Sequence, residues 1–126
     1  MRRDDALRYA RLLSYGRIAL GATALLAPRL PLWPWVGDGE SRRPAAKMLA
    51  RSLGARDLAL GIGPVLAMRH DAPVRGWIEA GGLADAGDVV TTLVAWRHLP
   101  RRTRVVMLVI VAGSMAACRI LSSAAD

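Results

Sequence analysis

The sequence predicts an all-α protein, a bundle of four transmembrane helices whose two termini lie on the same side of the membrane. Three observations favour this fold class. The chain of 126 residues is 53% hydrophobic, its apolar residues are gathered in four blocks, and turn-forming residues separate the blocks. A chain of this length is expected to form one domain, residues 1–126. We expect its helices at about 7–28, 46–68, 74–97 and 103–122.

The breakers between the blocks set the expected helix ends. The first helix should end at Pro28, since Pro31, Pro34 and the Gly37–Gly39 turn follow it, and clusters of Pro and Gly mark chain reversals. The second should end before the segment 69–73, and the third before the basic segment 97–104. Each block is long enough to cross about 30 Å of hydrocarbon, which takes about 20 helical residues.

A soluble four-helix bundle is the alternative, because no block holds 18 consecutive uncharged residues. Two features favour the membrane. The longest uncharged run, Val105–Cys118, is apolar on all sides and leaves no polar face for water. In the other blocks the charges are few and lie among Gly and Ala, whereas a soluble amphipathic helix carries charges over about half of its circumference.

The net charge of +8 comes almost entirely from arginine, since Lys47 is the one lysine. In a soluble protein this charge would suggest nucleic-acid binding. Here the arginines concentrate in the tails and connections, with no basic stripe interleaved with aromatics, so we expect anionic lipid headgroups as the partner and no nucleic acid. The expected location is the plasma membrane, as a multi-pass protein of undetermined orientation. The single cysteine excludes an internal disulfide and a cysteine-based zinc site.

Each of the first three predicted helices carries one stripe of small and polar residues at helical spacing. Small residues let helix backbones approach closely, and buried polar groups require partners across that contact. We therefore expect the stripes to face inward, so that the aspartates meet Arg17, with Arg56 as a second candidate partner. The three stripes are Arg17, Gly21, Ala24 and Pro28; Gly54, Asp57, Gly61 and Pro64; and Gly81, Asp85, Asp88 and Thr92.

The interior charges are costly in a bilayer. A lone charge at its centre costs about 2.5–3.5 kcal/mol, and Asp57 and Asp85, near the middle of their blocks, are too short to reach the surface. Three carboxylates face at most two guanidinium groups, so one is left to bind a cation or stay neutral. Two interpretations stay open: a network that only fixes helix register, or a site for a ligand, an ion or a proton. The candidate residues are Arg17, Arg56, Asp57, Asp85, Asp88 and Thr92.

The segment Leu53–Gly63 (LGARDLALGIG) resembles a signature in a family of small, mainly actinobacterial four-helix integral membrane proteins that is similar to the DoxX-like proteins. The pattern Gly16-Arg17…Gly21…Leu25–Pro28 and the pattern Trp77…Gly82…Asp85…Asp88 also resemble that family. In the second pattern we would expect a Gly-Asp pair followed by another acid, and this chain departs from it. The resemblance implies a fold and a location, and it implies no reaction.

Two functions compete. The small size and the Gly/Ala-rich packing faces favour an accessory or structural subunit of a larger membrane assembly, with protein partners or a homo-oligomer. The alternative is a small membrane enzyme or carrier for a lipid, a quinone-like molecule or a proton. In that case Asp85 or Asp88, with Asp57 as a third candidate, would transfer protons, and Arg56 or Arg17 would fix an anionic group. The sequence points to no cofactor and no metal site, and it favours a non-enzymatic role.

Overall fold

A computed structural model describes the backbone of residues 3–124. It also describes their side chains, except those of residues 3, 114, 117, 118 and 120 and of the residues after 120. Every regular element in this part of the chain is helical, which confirms the all-α class. The described elements are α1 (Arg3–Leu26), α2 (Arg29–Ser41), α3 (Pro44–Arg69), α4 (Arg75–Val94), a 3₁₀ turn (Trp96–His98) and α5 (Arg101–Ala124).

The helix α2 replaces the irregular connection that the sequence predicted there. Pro31 is compatible with the helix because it falls in the first turn of α2, where backbone N–H groups have no partner inside a helix anyway. Pro34 lies inside α2, where its missing N–H removes one helical hydrogen bond without ending the helix. Only the glycine acts as a breaker. Gly37 has φ 85° and ψ 172° and kinks the helix, a conformation that is unstrained for glycine.

The long helices begin and end close to where the breakers place them. Pro44 occupies the first turn of α3, which suits its fixed φ and missing N–H. The chain reverses after α3 through Asp71 at φ 51°. The third predicted helix is shorter than expected, since α4 ends at Val94 and a 3₁₀ turn continues to His98.

Helices α1 and α3 form a closely packed antiparallel pair. A Cβ atom added at Gly54 would lie 2.8 Å from the carbonyl oxygen of Gly21, and one at Gly61 would lie 2.7 Å from that of Ser14. Backbones can approach this closely only where one side is glycine. Helix α4 joins the pair through a small apolar cluster that lies near the α3–α4 turn and consists of Ala6, Ala10, Ala67, Val74 and Ile78.

Small and polar residues occupy the interior, and large apolar residues cover the exterior. Ser14, Asp57 and Thr92 are buried, and the buried apolar residues are alanines apart from Val74 and Ile78. Large apolar side chains on all five helices are exposed, with Leu83 76% accessible. Among the described residues, no helix has a segment that is both long and apolar enough to cross a membrane.

Candidate functional site

A network of ion pairs joins α4 to the α1–α3 pair about halfway along the helices. It contains five of the six residues that the sequence singled out for a polar interior. Helix α1 contributes Arg17, α3 contributes Arg56 and Asp57, and α4 contributes Asp85 and Asp88. The two carboxylates of α4 lie three residues apart, so they fall on the same face of that helix.

Arg17 connects all three helices. Its Nη1 donates a hydrogen bond to Oδ1 of Asp57 at 3.0 Å, and its Nη2 donates to Oδ2 of Asp85 at 2.6 Å. Nη2 also donates to the backbone carbonyl oxygen of Gly81 at 3.3 Å. The planar guanidinium suits this role because its donors point in fixed and different directions. A single side chain thus fixes α1 against one carboxylate of α3 and one of α4.

Arg56 forms the second branch of the network. Its two terminal nitrogens donate to the two carboxylate oxygens of Asp88, at 2.9 and 2.7 Å, which is the bidentate geometry that favours arginine over lysine. The same guanidinium lies 3.5 Å from Oδ1 of Asp57. Asp57 therefore lies between two arginines and connects the branches. The Nε of Arg56 is buried and has no hydrogen-bond acceptor among the described residues.

Thr92 lies beside the network and does not extend it. Its hydroxyl donates to the backbone carbonyl oxygen of Asp88 at 2.6 Å, a bond from residue i to residue i−4 that polar side chains form within helices. A hydroxyl has one hydrogen, so none is left for a carboxylate. The polar stripe of α4 correctly placed Thr92 on the inner face, but its contact is with its own helix backbone.

Glycine brings the charged groups within reach of one another. A Cβ at Gly81 would lie 3.3 Å from Nη2 of Arg17, so this guanidinium rests directly on the backbone of α4. The carbonyl of Gly81 is the one member of the network that the sequence reasoning missed. A glycine one turn before Asp85, on the same stripe, was the available signal for it.

The cavity beside Arg17 is small. This cavity, bounded also by Ser14, Pro64 and Gly81, has a volume of about 30 Å³, enough for no more than a few water molecules. A larger open cleft of about 420 Å³ lies between the end of α3 and the start of α4. It contains none of the network residues and is lined by apolar groups and His70.

Fold and site together define a class: an all-α protein in which a five-residue Arg–Asp network ties small-residue helices together. The three carboxylates and two guanidinium groups leave a formal charge of −1, and each carboxylate accepts at least one hydrogen bond from an arginine. Within the described part of the chain, no group of three or more His, Cys, Asp or Glu residues could hold a metal ion. Comparisons with protein-family models, curated proteins and solved structures find no match for this chain.

Proposed function

We propose that the protein is a four-span membrane bundle of the plasma membrane that serves as a structural subunit of a larger membrane assembly. In this proposal α1, α3, α4 and α5 cross the bilayer, α2 lies at its surface, and both chain ends lie on the side away from α2. The Arg–Asp network fixes how the helices pack and handles no substrate. The resemblance of the Leu53–Gly63 segment to the family similar to the DoxX-like proteins implies the same architecture.

The observation that carries the membrane part is the distribution of side chains. In a water-soluble bundle the large apolar side chains form the core, whereas here they cover the outside and the core is built from alanine, glycine and ion pairs. Membrane helices associate through such small-residue contacts and place charged groups toward the bundle interior. The four long helices have 20–26 residues, which gives lengths of about 30–39 Å, at least the thickness of the hydrocarbon.

The geometry of the network favours a structural role over catalysis or transport. A ligand or carrier site requires a cavity that admits the ligand to the reactive groups, and the space beside Arg17 holds about 30 Å³. The cleft that could hold a small molecule presents His70 and apolar groups, and none of the aspartates line it. Accordingly, the exposed apolar faces are the surfaces that partner subunits or lipids would contact.

A single exposed residue separates the membrane proposal from a soluble fold. Leu83 lies at the middle of α4 and is 76% exposed. In water, Leu83→Lys would change stability by no more than about 0.5 kcal/mol, whereas at the centre of a bilayer the new charge costs about 2.5–3.5 kcal/mol. We expect the variant to lose membrane insertion and to be degraded. Glu40→Lys, an exposed change in α2, is the control and should insert normally.

The assay is fractionation of cells that express the full chain, followed by an alkaline carbonate wash. We expect the protein to stay in the pellet and to need detergent for release. Release by carbonate as a folded monomer, or normal levels of Leu83→Lys, would overturn the membrane proposal. For the subunit role, purification in a mild detergent followed by mass spectrometry should identify co-purifying chains in fixed ratio. A protein recovered alone and monomeric would refute that role.

A further inference from the structure

The charges of the chain divide unequally between the two ends of the bundle. The end formed by α2, the start of α3, the 3₁₀ turn and the start of α5 is called the α2 end. It holds nine basic residues against two acidic ones: Arg29, Arg42, Arg43, Lys47, Arg51, Arg97, Arg101, Arg102 and Arg104, with Asp38 and Glu40. The opposite end, with the start of α1, the α3–α4 turn and the end of α5, carries a smaller excess of six basic residues over four acidic ones among the described residues: Arg3, Arg8, Arg11, Arg69, Arg75 and Arg119, with Asp4, Asp5, Asp71 and Glu79.

Tertiary contacts make the α2 end a single surface, although its residues come from distant parts of the sequence. The hydroxyl of Thr103, at the start of α5, donates to the backbone carbonyl oxygen of Pro34 in α2 at 3.1 Å. Arg51 of α3 donates to the carbonyl oxygen of Leu25, at the end of α1, at 3.2 Å. The first bond holds the start of α5 against α2, which also contacts α3, and the second holds α3 against the end of α1.

Most of the excess charge on this end is not neutralised within the protein. Asp38 is shared between Arg29 and Arg42, at 3.2 and 2.9 Å, and Glu40 pairs with Arg43 at 3.2 Å. Both acids of the α2 end are thereby used. Exposed arginines without an ion pair to any described acid remain around the start of α5: Arg97, Arg101 and Arg102.

Helix α2 adds apolar groups to this basic surface. Leu30 and Trp33 are 65% and 61% exposed, and their spacing of three residues places them on one side of the helix. A short helix that presents Leu and Trp next to arginines has the features of a segment lying in the interface between headgroups and acyl chains. Tryptophan in particular is enriched at that depth.

We propose that the α2 end binds anionic phospholipid headgroups and lies on the cytoplasmic side of the membrane, with α2 in the plane of the interface. The proposal rests on the membrane location proposed above and adds the lipid class and the orientation to it. Arginine binds phosphate oxygens through paired hydrogen bonds, and Leu30 and Trp33 enter the acyl boundary beside them. Basic residues close to membrane spans favour the cytoplasmic side, and the α2 end carries the larger number of them, nine.

The lipid class is tested by native mass spectrometry of the full chain in detergent, with phosphatidylglycerol and phosphatidylcholine added in equal amounts. We expect the protein to retain several times more phosphatidylglycerol. The variant R97Q/R101Q/R102Q should lower that preference about fivefold, since it removes the unpaired charges that lie close to the headgroups. Equal binding of the two lipids by the unaltered protein overturns the proposal.

The matched control removes three exposed arginines from the opposite end. The variant R8Q/R11Q/R69Q has the same net charge as the first variant and differs from it only in where the charge is removed. Because its arginines lie away from the α2 end, we expect it to retain the preference for phosphatidylglycerol. Equal losses in the two variants would show a response to net charge alone and would overturn the assignment to the α2 end. Tighter binding of a single-stranded RNA oligonucleotide than of phosphatidylglycerol, at the same salt concentration, would also overturn it.

The orientation is tested with two glycines that leave open space for a side chain, Gly39 in α2 and Gly76 at the start of α4. Each is replaced by cysteine in a Cys118→Ala background. A membrane-impermeant maleimide should label Gly76→Cys in intact cells and Gly39→Cys only in inverted vesicles. The reverse pattern overturns the orientation. A chain released by carbonate refutes the membrane location itself, whereas an embedded chain without lipid preference refutes only the inference made here.

Discussion

Removing Arg17 is expected to be the most damaging single change in the interior. The guanidinium donates hydrogen bonds to Asp57 at 3.0 Å and to Asp85 at 2.6 Å, and its side chain is 19% exposed. Hydrogen bonds to charged groups contribute about 1.5–3 kcal/mol each. In Arg17→Met both bonds are lost, so Asp85 loses its 2.6 Å partner and Asp57 keeps its contact with Arg56. Breaking a buried ion pair from one side costs about 3–5 kcal/mol, and we expect a loss of stability in this range.

The assay is thermal unfolding of the purified full chain in a mild detergent, where a loss of this size lowers the midpoint by about 10–25 °C. Arg75→Gln is the control, because Arg75 pairs with Glu79 at 2.7 Å on an exposed surface, and pairs at this spacing contribute about 0.3–0.5 kcal/mol. The variant R17M/D57N/D85N removes the two carboxylate charges that Arg17 neutralises together with the arginine, and it should recover much of the loss. If Arg17→Met were as mild as Arg75→Gln, or if the triple variant were no more stable than Arg17→Met, the reasoning would be refuted.

Three further changes test other parts of the structure. Gly61→Ala, whose new methyl would lie 2.7 Å from the carbonyl oxygen of Ser14, should destabilise by about 1–3 kcal/mol in the same unfolding assay, whereas Gly16→Ala, with nothing within 4 Å, should be neutral or stabilising. Asp88→Asn should be less harmful than loss of Arg17, since Arg56 also lies near Asp57; equal losses would contradict the branched network. The hydrogen bond from Arg42, with its charge and that of Arg29, holds the pKa of Asp38 below 3.8. Because the pKa of Asp38 is lowered in the folded protein, this stabilisation is fully present above about pH 3.8 and is lost as the pH falls through the folded pKa. A carboxyl NMR titration should therefore give Asp38 a midpoint below 3.8, and Arg42→Gln should raise that midpoint.

Spacing predicted the inner faces of the helices well, because helical periodicity relates side chains on one helix without reference to the rest of the fold. The stripes through Gly54 and Asp57, and through Gly81 and Asp85, lie where close packing and ion pairing occur. Other features depend on contacts between helices that periodicity does not contain. The pairing of Arg56 with Asp88 follows from the register of α3 against α4. The helix α2 was missed because its prolines were taken as breakers regardless of their position within a turn.

The net charge of the chain gains meaning once its residues are placed in the fold. A net charge of +8 spread evenly over the surface would suggest a protein that binds polyanions. Here the positive charge is concentrated at the α2 end, and the formal charges of the five network residues sum to −1. Among the described residues, nine basic residues lie at the α2 end and six at the opposite end, and the acids Asp4, Asp5, Asp71 and Glu79 widen the difference in net charge. Basic and acidic residues therefore both distinguish the two ends, and the basic residues contribute the larger part of the difference.

An interior of alanine and glycine also explains why charge is retained where it is costly. Small side chains pack closely but do not interlock, so a shift of one turn, about 5.4 Å, would replace one small-residue contact with a similar one. Such a shift of α4 in either direction would break at least one of the two ion pairs to α4, because Asp85 and Asp88 lie three residues apart and only one of them could take the other's place. The ion pairs thus penalise alternative registers that apolar packing alone would tolerate, a use of buried charge that is established where a polar group fixes the alignment of helices. A subunit that presents a defined outer surface to its partners requires such a single register.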